Sequence, residues 1–393
     1  MEKMRLGDIA QLINGDRGKN YPSQSDIAQK GEIPFVNAGH LNGKGIDFKE
    51  MNYISEEKYN KLNSGKFQKD DILYCLRGSL GKKAIVSSNI NGAIASSLVI
   101  IRPDPAKVSG EYLMFALDSP AIREQLVKAN NGSSQPNLSA TSVREYRVEL
   151  PELSLQEEVV EKLEKVISII DGRKQEVQLL DDLIRARFVE MFGDPATNPM
   201  RWSETTIGDE CFYIKDGPHK SLPDIGKENG GHPFISVRNI VNGYIDFSTA
   251  RYISDEDYAN AIKKCHPEKG DMLYSKGGTT GIAKLIDIDE EFANWVHVAV
   301  LKFDKSKLNG IFFENMLNGD YCFEQSQRLT KGIANRDLVL SAMAQIKMYR
   351  PPMEIQKQFA DFVNQVDKSK VAIQKALDKT QMLFDSLMQE YFG

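Results

Sequence analysis

Asp71-Ile72-Leu73-Tyr74 is followed by Gly78 and Gly81, and the same arrangement returns as Asp271-Met272-Leu273-Tyr274 with Gly278 and Gly281. Outward from this pair the correspondence continues in both directions. Leu6-Gly7-Asp8 returns as Ile207-Gly208-Asp209, Pro34-Phe35-Val36 as Pro233-Phe234-Ile235, and Tyr53-Ile54-Ser55 as Tyr252-Ile253-Ser254. Pro151 and Gln156 return as Pro351 and Gln356, and Phe192-Gly193 as Phe392-Gly393. An offset held at 199 to 201 residues over that many matches is a tandem duplication. The chain is one unit written twice.

Each copy has two parts. Short β-type runs at 34–39, 71–76, 84–88 and 95–103, and at 233–237, 271–276, 283–288 and 298–303, alternate with Gly- and Asn-rich turns. That pattern predicts a strand-rich domain with a few helices, such as one over 110–121. The second part reads differently. Val159, Leu163, Val166, Ile170, Val177, Leu180 and Ile184 fall at spacings of 4, 3, 4, 7, 3 and 4. Phe359, Val363, Val366, Ile373, Leu377, Phe384, Leu387 and Tyr391 nearly repeat them. Spacings that sum to seven predict two long helices packed along a seam, each preceded by a proline (Pro151, Pro351) where proline is tolerated. Lys370 and Thr380 stand where the partner helix has Ile170 and Leu180, which predicts a locally weaker seam.

A helix of roughly 40 residues is about 60 Å long, more than a small domain needs for its own core. Pairing of the two helices within the chain is expected, and a seam to a second copy is the alternative. The expected fold class is α+β. Two strand-rich mixed α/β domains, 1–150 and 194–350, are separated by two long helices, 151–193 and 351–393, packed as an antiparallel coiled coil in a pseudo-twofold tandem repeat.

The 393 residues are 41% hydrophobic and 27% charged, enough for two cores of ordinary size. No run of about eighteen apolar residues that could span a membrane occurs. The opening MEKMRLGDIA lacks the apolar core of a signal peptide, and Cys75, Cys211, Cys265 and Cys322 are scattered. Together these predict a cytoplasmic protein with reduced thiols. Net charge is −5, but 151–193 carry −4 and 351–393 carry −1, so the globular parts are neutral with basic residues gathered in a few loops. Such parts can touch phosphate; a firm hold on nucleic acid would need partners that add positive surface.

At this point the residues resemble a known family, the specificity subunits of type I restriction–modification systems. The resemblance rests on Asp71-Ile72-Leu73 leading into Arg77-Gly78-Ser79-Leu80-Gly81-Lys82, and on Leu150-Pro151-Glu152 leading into Gln156-Glu157. It also rests on the helix end Phe188-Val189-Glu190-Met191-Phe192-Gly193, and above all on the order and duplication of these pieces. The family implies two target-recognition domains, each reading one half of a split double-stranded DNA target, with helices that set the spacer between the halves. It implies two methyltransferase subunits as partners, which bind S-adenosylmethionine and methylate adenine. It further implies restriction–translocase subunits that use ATP with magnesium. No cofactor is expected on this chain itself. The second copy departs in places: Gln135 aligns with Asn335.

The residues show no pattern for chemistry. Asn198-Pro199-Met200 and Asp194-Pro195-Ala196 fall short of the Asn/Asp-Pro-Pro-aromatic loop of an amino-methyltransferase, and 78–82 and 277–281 fall short of a phosphate loop. Pro223-Asp224 starts like a nuclease carboxylate cluster but no acid–lysine strand follows. The five histidines lack metal-ligand spacing, and His297 in an apolar run reads as a packed residue. No catalytic residue and no metal site are expected.

Four loop pairs read instead as candidate DNA contacts, since small residues admit close approach while their neighbours carry donors. The first pair offers Arg17, Lys19 and Asn20 against Lys215, His219 and Lys220. The second offers His40 and Asn42 against Arg238 and Asn239. The third offers Arg77, Ser79, Lys82 and Lys83 against Lys276, Thr279 and Thr280. The fourth offers Ser133, Ser134, Gln135 and Asn137 against Lys331, Asn335 and Arg336. These loops could also be plain turns that favour Gly, Asn and Ser for dihedral reasons, most evenly so for the second pair. A non-enzymatic coiled-coil scaffold that binds proteins rather than DNA is the competing function, and an enzyme with an unrecognised site is a third.

Overall fold

A computed structural model describes residues 2–130, 136–333 and 335–393, without the side chain of Glu2. The chain divides into two compact units, one of Met1–Lys174 with Lys375–Gly393 and one of Gln175–Gln374.

In the first unit an antiparallel sheet runs in the order Ala10–Asn14, Leu98–Pro103, Ile72–Cys75, Lys83–Ile85. The strand that decided the sequence reading lies inside it, with Leu73 opposite Ile100 on one side and Ala84 on the other. Its residues are apolar at every position because both faces are covered. Ile72 and Tyr74 point into one core, with Val99 and Ile101, while Leu73 and Cys75 point into another, with Leu98 and Ile100. A second sheet, Tyr53–Ile54, Ile33–Val36, Gly92–Ile94, Lys66–Phe67, contains a parallel pair between Ile33–Val36 and Gly92–Ile94. Glu2–Arg5 pairs with Arg147–Leu150 and closes the domain.

The second unit repeats this plan. Its sheets run Cys211–Asp216, Val298–Phe303, Met272–Ser275, Ala283–Leu285, and Arg251–Ile253, His232–Ile235, Ala293–Asn294. Ser203–Thr206 pairs with Lys347–Arg350 as the closing ribbon. One expected helix is corrected. In place of a single helix over 110–121 there are two, Gly110–Ala116 and Pro120–Ala129. The first is capped at its end by Leu117; Ser119 caps the start of the second, accepting from the Ile122 N–H at 3.2 Å, and Pro120 fits the first turn.

The long helices are Leu153–Phe192 and Met353–Phe392, 40 residues each. Within the first unit they run antiparallel. Lys162 lies over the Tyr391 ring at 5.9 Å, and the Arg173 guanidinium donates to the Ala376 carbonyl at 2.6 Å and to the Thr380 hydroxyl. Within the second unit they do so again, with Arg187 over the Phe362 ring at 5.6 Å and Lys370 on Asp181 at 2.7 Å. The seam residues Val159, Leu163, Val166, Ile170, Ile184, Phe359, Val363 and Val366 are buried. Val177, Leu180, Ile373, Leu377 and Phe384 are only half-buried. Lys370 and Thr380 are filled by specific polar partners, so their positions carry an ion pair and a hydrogen bond rather than gaps.

Each helix is fastened to its domain by one buried glutamine. Gln156 is fully buried; its Oε1 accepts from the Ser109 N–H at 3.0 Å, and its Nε2 donates to the Lys107 and Pro151 carbonyls at 2.8 and 2.9 Å. Gln356 repeats the set with Asn309, Lys307 and Pro351 at 2.8, 3.2 and 2.8 Å. Aromatic side chains add the apolar half of the joint. Phe188 and Phe192 pack with Phe312 and Phe359 at centroid distances of 4.8 to 5.7 Å, and Phe392 lies 5.1 Å from Tyr112.

Candidate nucleic-acid interface

Three of the four loops come together in the first unit. The turn after Asn14 is built on Asp16, which is 6% exposed and accepts from the Gly18 N–H at 2.8 Å and the Asn63 N–H at 2.9 Å. Those backbone donors hold its carboxyl below the usual carboxylate range. The turn leaves Arg17 and Lys19 exposed and Asn20 half-exposed. Gly15 has no room for a side chain, since a Cβ would lie 2.8 Å from the Ala95 carbonyl oxygen. Arg17 reaches the Ser96 carbonyl at 3.4 Å, and the next residue, Ser97, accepts from the Leu76 N–H at 2.8 Å. Arg77 pairs with Asn137 as an isolated β-bridge, and the Gly78 N–H donates to the Pro136 carbonyl at 3.2 Å. Arg77, Ser79 and Asn137 are exposed at this junction and Lys82 half-exposed.

The second unit uses the same backbone frame with other side chains. Gly217 approaches the Asn294 carbonyl so closely that a Cβ would stand 1.7 Å from its oxygen. The Lys276 N–H donates to the His297 carbonyl at 2.8 Å, Gly277 bridges Asp337, and the Gly278 N–H donates to the Arg336 carbonyl at 3.0 Å. Where Asp16 uses backbone amides, Asp216 uses side chains: Lys264 at 2.9 Å, the His219 imidazole at 3.5 Å and Lys276 at 3.6 Å. Lys276 also meets Asp337 at 2.8 Å. Lys215 lies over the Tyr213 ring at 5.0 Å. Lys215, His219, Lys220, Thr279, Lys331, Asn335 and Arg336 are exposed, although Arg336 is tied to the Gln327 side chain.

Several candidates are corrected by what surrounds them. His40 is 8% exposed; its Nδ1 accepts from the Asn37 N–H at 3.1 Å and its Nε2 donates to the Glu50 carbonyl at 3.1 Å. Asn239, 1% exposed, holds the equivalent place, accepting from the Ser236 N–H at 2.8 Å and donating to the Asp246 carbonyl at 2.9 Å. Both close a one-turn capping box, and neither is free to read a base. Asn42 is exposed but its oxygen accepts from the Lys44 and Gly45 N–H groups at 3.0 and 2.7 Å. That loop leads instead to the first long helix, where Lys44 pairs with Asp171 at 3.0 Å. Arg238 stays exposed, donating to the Thr249 carbonyl at 2.6 Å. Lys276 is 5% exposed and committed to two carboxylates, Thr280 is 2% exposed and bonded to the Thr330 hydroxyl at 2.9 Å, and Lys83 is buried against Asp118. Ser133, Ser134 and Gln135 lie outside the described residues.

The sequence reading missed the segment that joins the loops, 95–97 and 295–297. In the second unit it places Trp295 beside His297, ring centroids 4.6 Å apart, where the first unit has Ala95 and Ser97. It also missed Asp337. The available signal was the change from Ala95 and Ser97 in the first copy to Trp295 and His297 in the second. Among the described residues no group of three or more His, Cys, Asp or Glu side chains is placed to hold a metal, and no helix is long and apolar enough to cross a membrane. All four cysteines are free and buried.

The type I restriction modification DNA specificity domain matches twice, over residues 1–179 and 199–380. The MjaVIII specificity subunit of a type I restriction enzyme from Methanocaldococcus jannaschii is 22% identical, covering 97% of this chain and 91% of the relative. The MjaIX specificity subunit from the same organism is also 22% identical, over 91% of this chain and 85% of the relative. Among solved structures, the type I S subunit from M. genitalium superposes with a TM-score of 0.56 at 14% identity, covering all of this chain and 96% of that one. A chain from a study of complex assembly and conformational transition of the type I restriction–modification system gives 0.61 at 16% identity, covering all of this chain and 97% of that one.

Proposed function

We propose that this chain, which belongs to the type I restriction–modification DNA specificity family, reads a split DNA target, one half with each unit, and docks methyltransferase subunits that carry the chemistry. The supporting observation is the repeated loop junction. One backbone frame is kept in both units, while the residues on it change: exposed Arg77 and Asn137 give way to buried Gly277 and half-exposed Asp337, and exposed Arg17 and Lys19 to buried Gly217 and exposed His219. Two half-sites of different sequence require that combination, since phosphate contacts position a reader and side-chain tips specify bases.

The long helices act in this proposal as the spacer and as the docking surface for the partners. Apolar side chains remain exposed along them, among them Leu179 at 57%, Leu183 at 46% and Met382 at 70%. S-adenosylmethionine, and ATP with magnesium, belong to partner subunits. Mapping methylated adenines in a genome that carries the chain with its methyltransferase tests the reading. A split, asymmetric target is expected; methylation without sequence preference would favour the scaffold alternative. Adding one heptad to both helices is expected to lengthen the spacer and leave both half-sites unchanged.

A further inference from the structure

Asp337 carries the wrong charge for a surface that meets phosphates, yet it sits at the centre of the loop junction in the second unit. A carboxylate brought beside a polyanion is repelled; a paired cation offsets part of that repulsion, and a hydrogen-bond donor on a base gives its exposed side a partner. In the major groove the N4 amine of cytosine is such a donor, and Asp or Glu is its natural acceptor. We propose that Asp337 accepts from the exocyclic amine of a cytosine in the half-site read by the second unit; this rests on the reading under Proposed function.

Position, aim and comparison carry the assignment. The backbone of Asp337 is pinned, because its N–H and carbonyl exchange hydrogen bonds with Lys331 at 2.9 Å each, and it bridges Gly277. Its Oδ1 is fixed by the Lys276 ammonium at 2.8 Å, while its side chain stays 47% exposed. Lys276 is itself 5% exposed and also faces Asp216 at 3.6 Å, so it is a buried positioning residue rather than a contact. A reader held by its supporting residue keeps its direction when DNA arrives.

The first unit supplies the comparison. Asn137 occupies the equivalent bridge, opposite Arg77, and the residue matching Lys276 is Leu76, which is 1% exposed. The carboxylate and its buried cation therefore occur together, and where the tip is an amide the cation is absent. An amide offers both a donor and an acceptor, which suits adenine; a carboxylate offers acceptors alone.

The test selects sequences from a randomised duplex library with the full chain in complex with its modification subunits. Asp337→Asn is expected to lower the preference at one cytosine of one half-site by about 5- to 150-fold, the range a single good base contact provides. The other half-site and the spacer are expected to stay as in the wild type. The double variant Lys276→Leu/Asp337→Asn reproduces the pair of the first unit, leaves no stranded buried cation, and is expected to give the same loss. Wild-type preference retained at every position in both variants, or a uniform fall across the half-site, would overturn the assignment. A wild-type complex that selects no sequence at all would instead overturn the underlying reading, and the assignment with it.

Discussion

Replacing Gln156 by leucine tests how each recognition domain is held to its helix. The side chain is fully buried and makes three hydrogen bonds to backbone groups of the turn at 107–109 and of the helix start. Leucine has similar volume but no polar atom, so those bonds vanish and the Ser109 N–H and Lys107 carbonyl lose their partners. Each lost bond is worth about 1 kcal/mol net, and each stranded buried group costs about 1–3 kcal/mol. Part of this is offset by burying a leucine, worth about 1.5–3 kcal/mol. The net expectation is about 2–7.5 kcal/mol of destabilisation in the unit that contains Gln156. Urea denaturation of the full chain is expected to show the transition of that unit moving to lower denaturant, with the transition of the other unit in place. Hydrogen exchange of the Ser109 amide is expected to accelerate specifically. A shift below about 0.5 kcal/mol with Ser109 exchange unchanged would refute the reasoning, since the glutamine would then be dispensable to the joint.

Phe359→Ala removes a fully buried ring that touches Phe188 and Phe192, and is expected to cost about 3–5 kcal/mol, measured as the denaturation midpoint of the second unit. Lys370→Ile restores the residue type of position 170 and removes a part-exposed ion pair with Asp181, so stability measured in urea is expected to change by less than about 1 kcal/mol. Burial pushes the Cys211 and Cys322 thiols up to about 12 and the Cys265 thiol up to about 11. Thiolate is therefore scarce at pH 8, and the native chain is expected to react with a disulfide reagent far more slowly than the unfolded chain at the same pH.

Much of this architecture was legible because its causes are local. The doubly covered strand Ile72–Cys75 must be apolar at every position, and the helix seam must repeat in sevens, so both leave marks in sequence. The seam reading lost Phe188, Phe192, Met388 and Phe392 because these residues pack on the recognition domains rather than extend the heptad, and Met388 and Phe392 join the core of the first unit. It read Lys370 and Thr380 as weak points because their partners, Asp181 and Arg173, lie on the other helix.

The loops were harder for the same reason. Lys276 looks like a free cation until Asp337, 61 residues on, folds against it. His40 and Asn239 look like reading tips, but closing a capping box uses the donors and acceptors that a base contact would need. A side chain's exposure depends on neighbours that the linear sequence does not rank. The glycines did survive the transfer: Gly217 is required by close approach to Asn294, and Gly78 and Gly278 by φ of +78° and +69°.

Exchange of the first recognition domain, residues 1–150, for that of another family member, followed by mapping of the methylated target of the whole complex, tests the central claim most directly. One half of the target is expected to take the donor's sequence, while the other half and the spacer stay unchanged. A target in which both halves change, or neither does, would contradict an account in which each unit reads its own half.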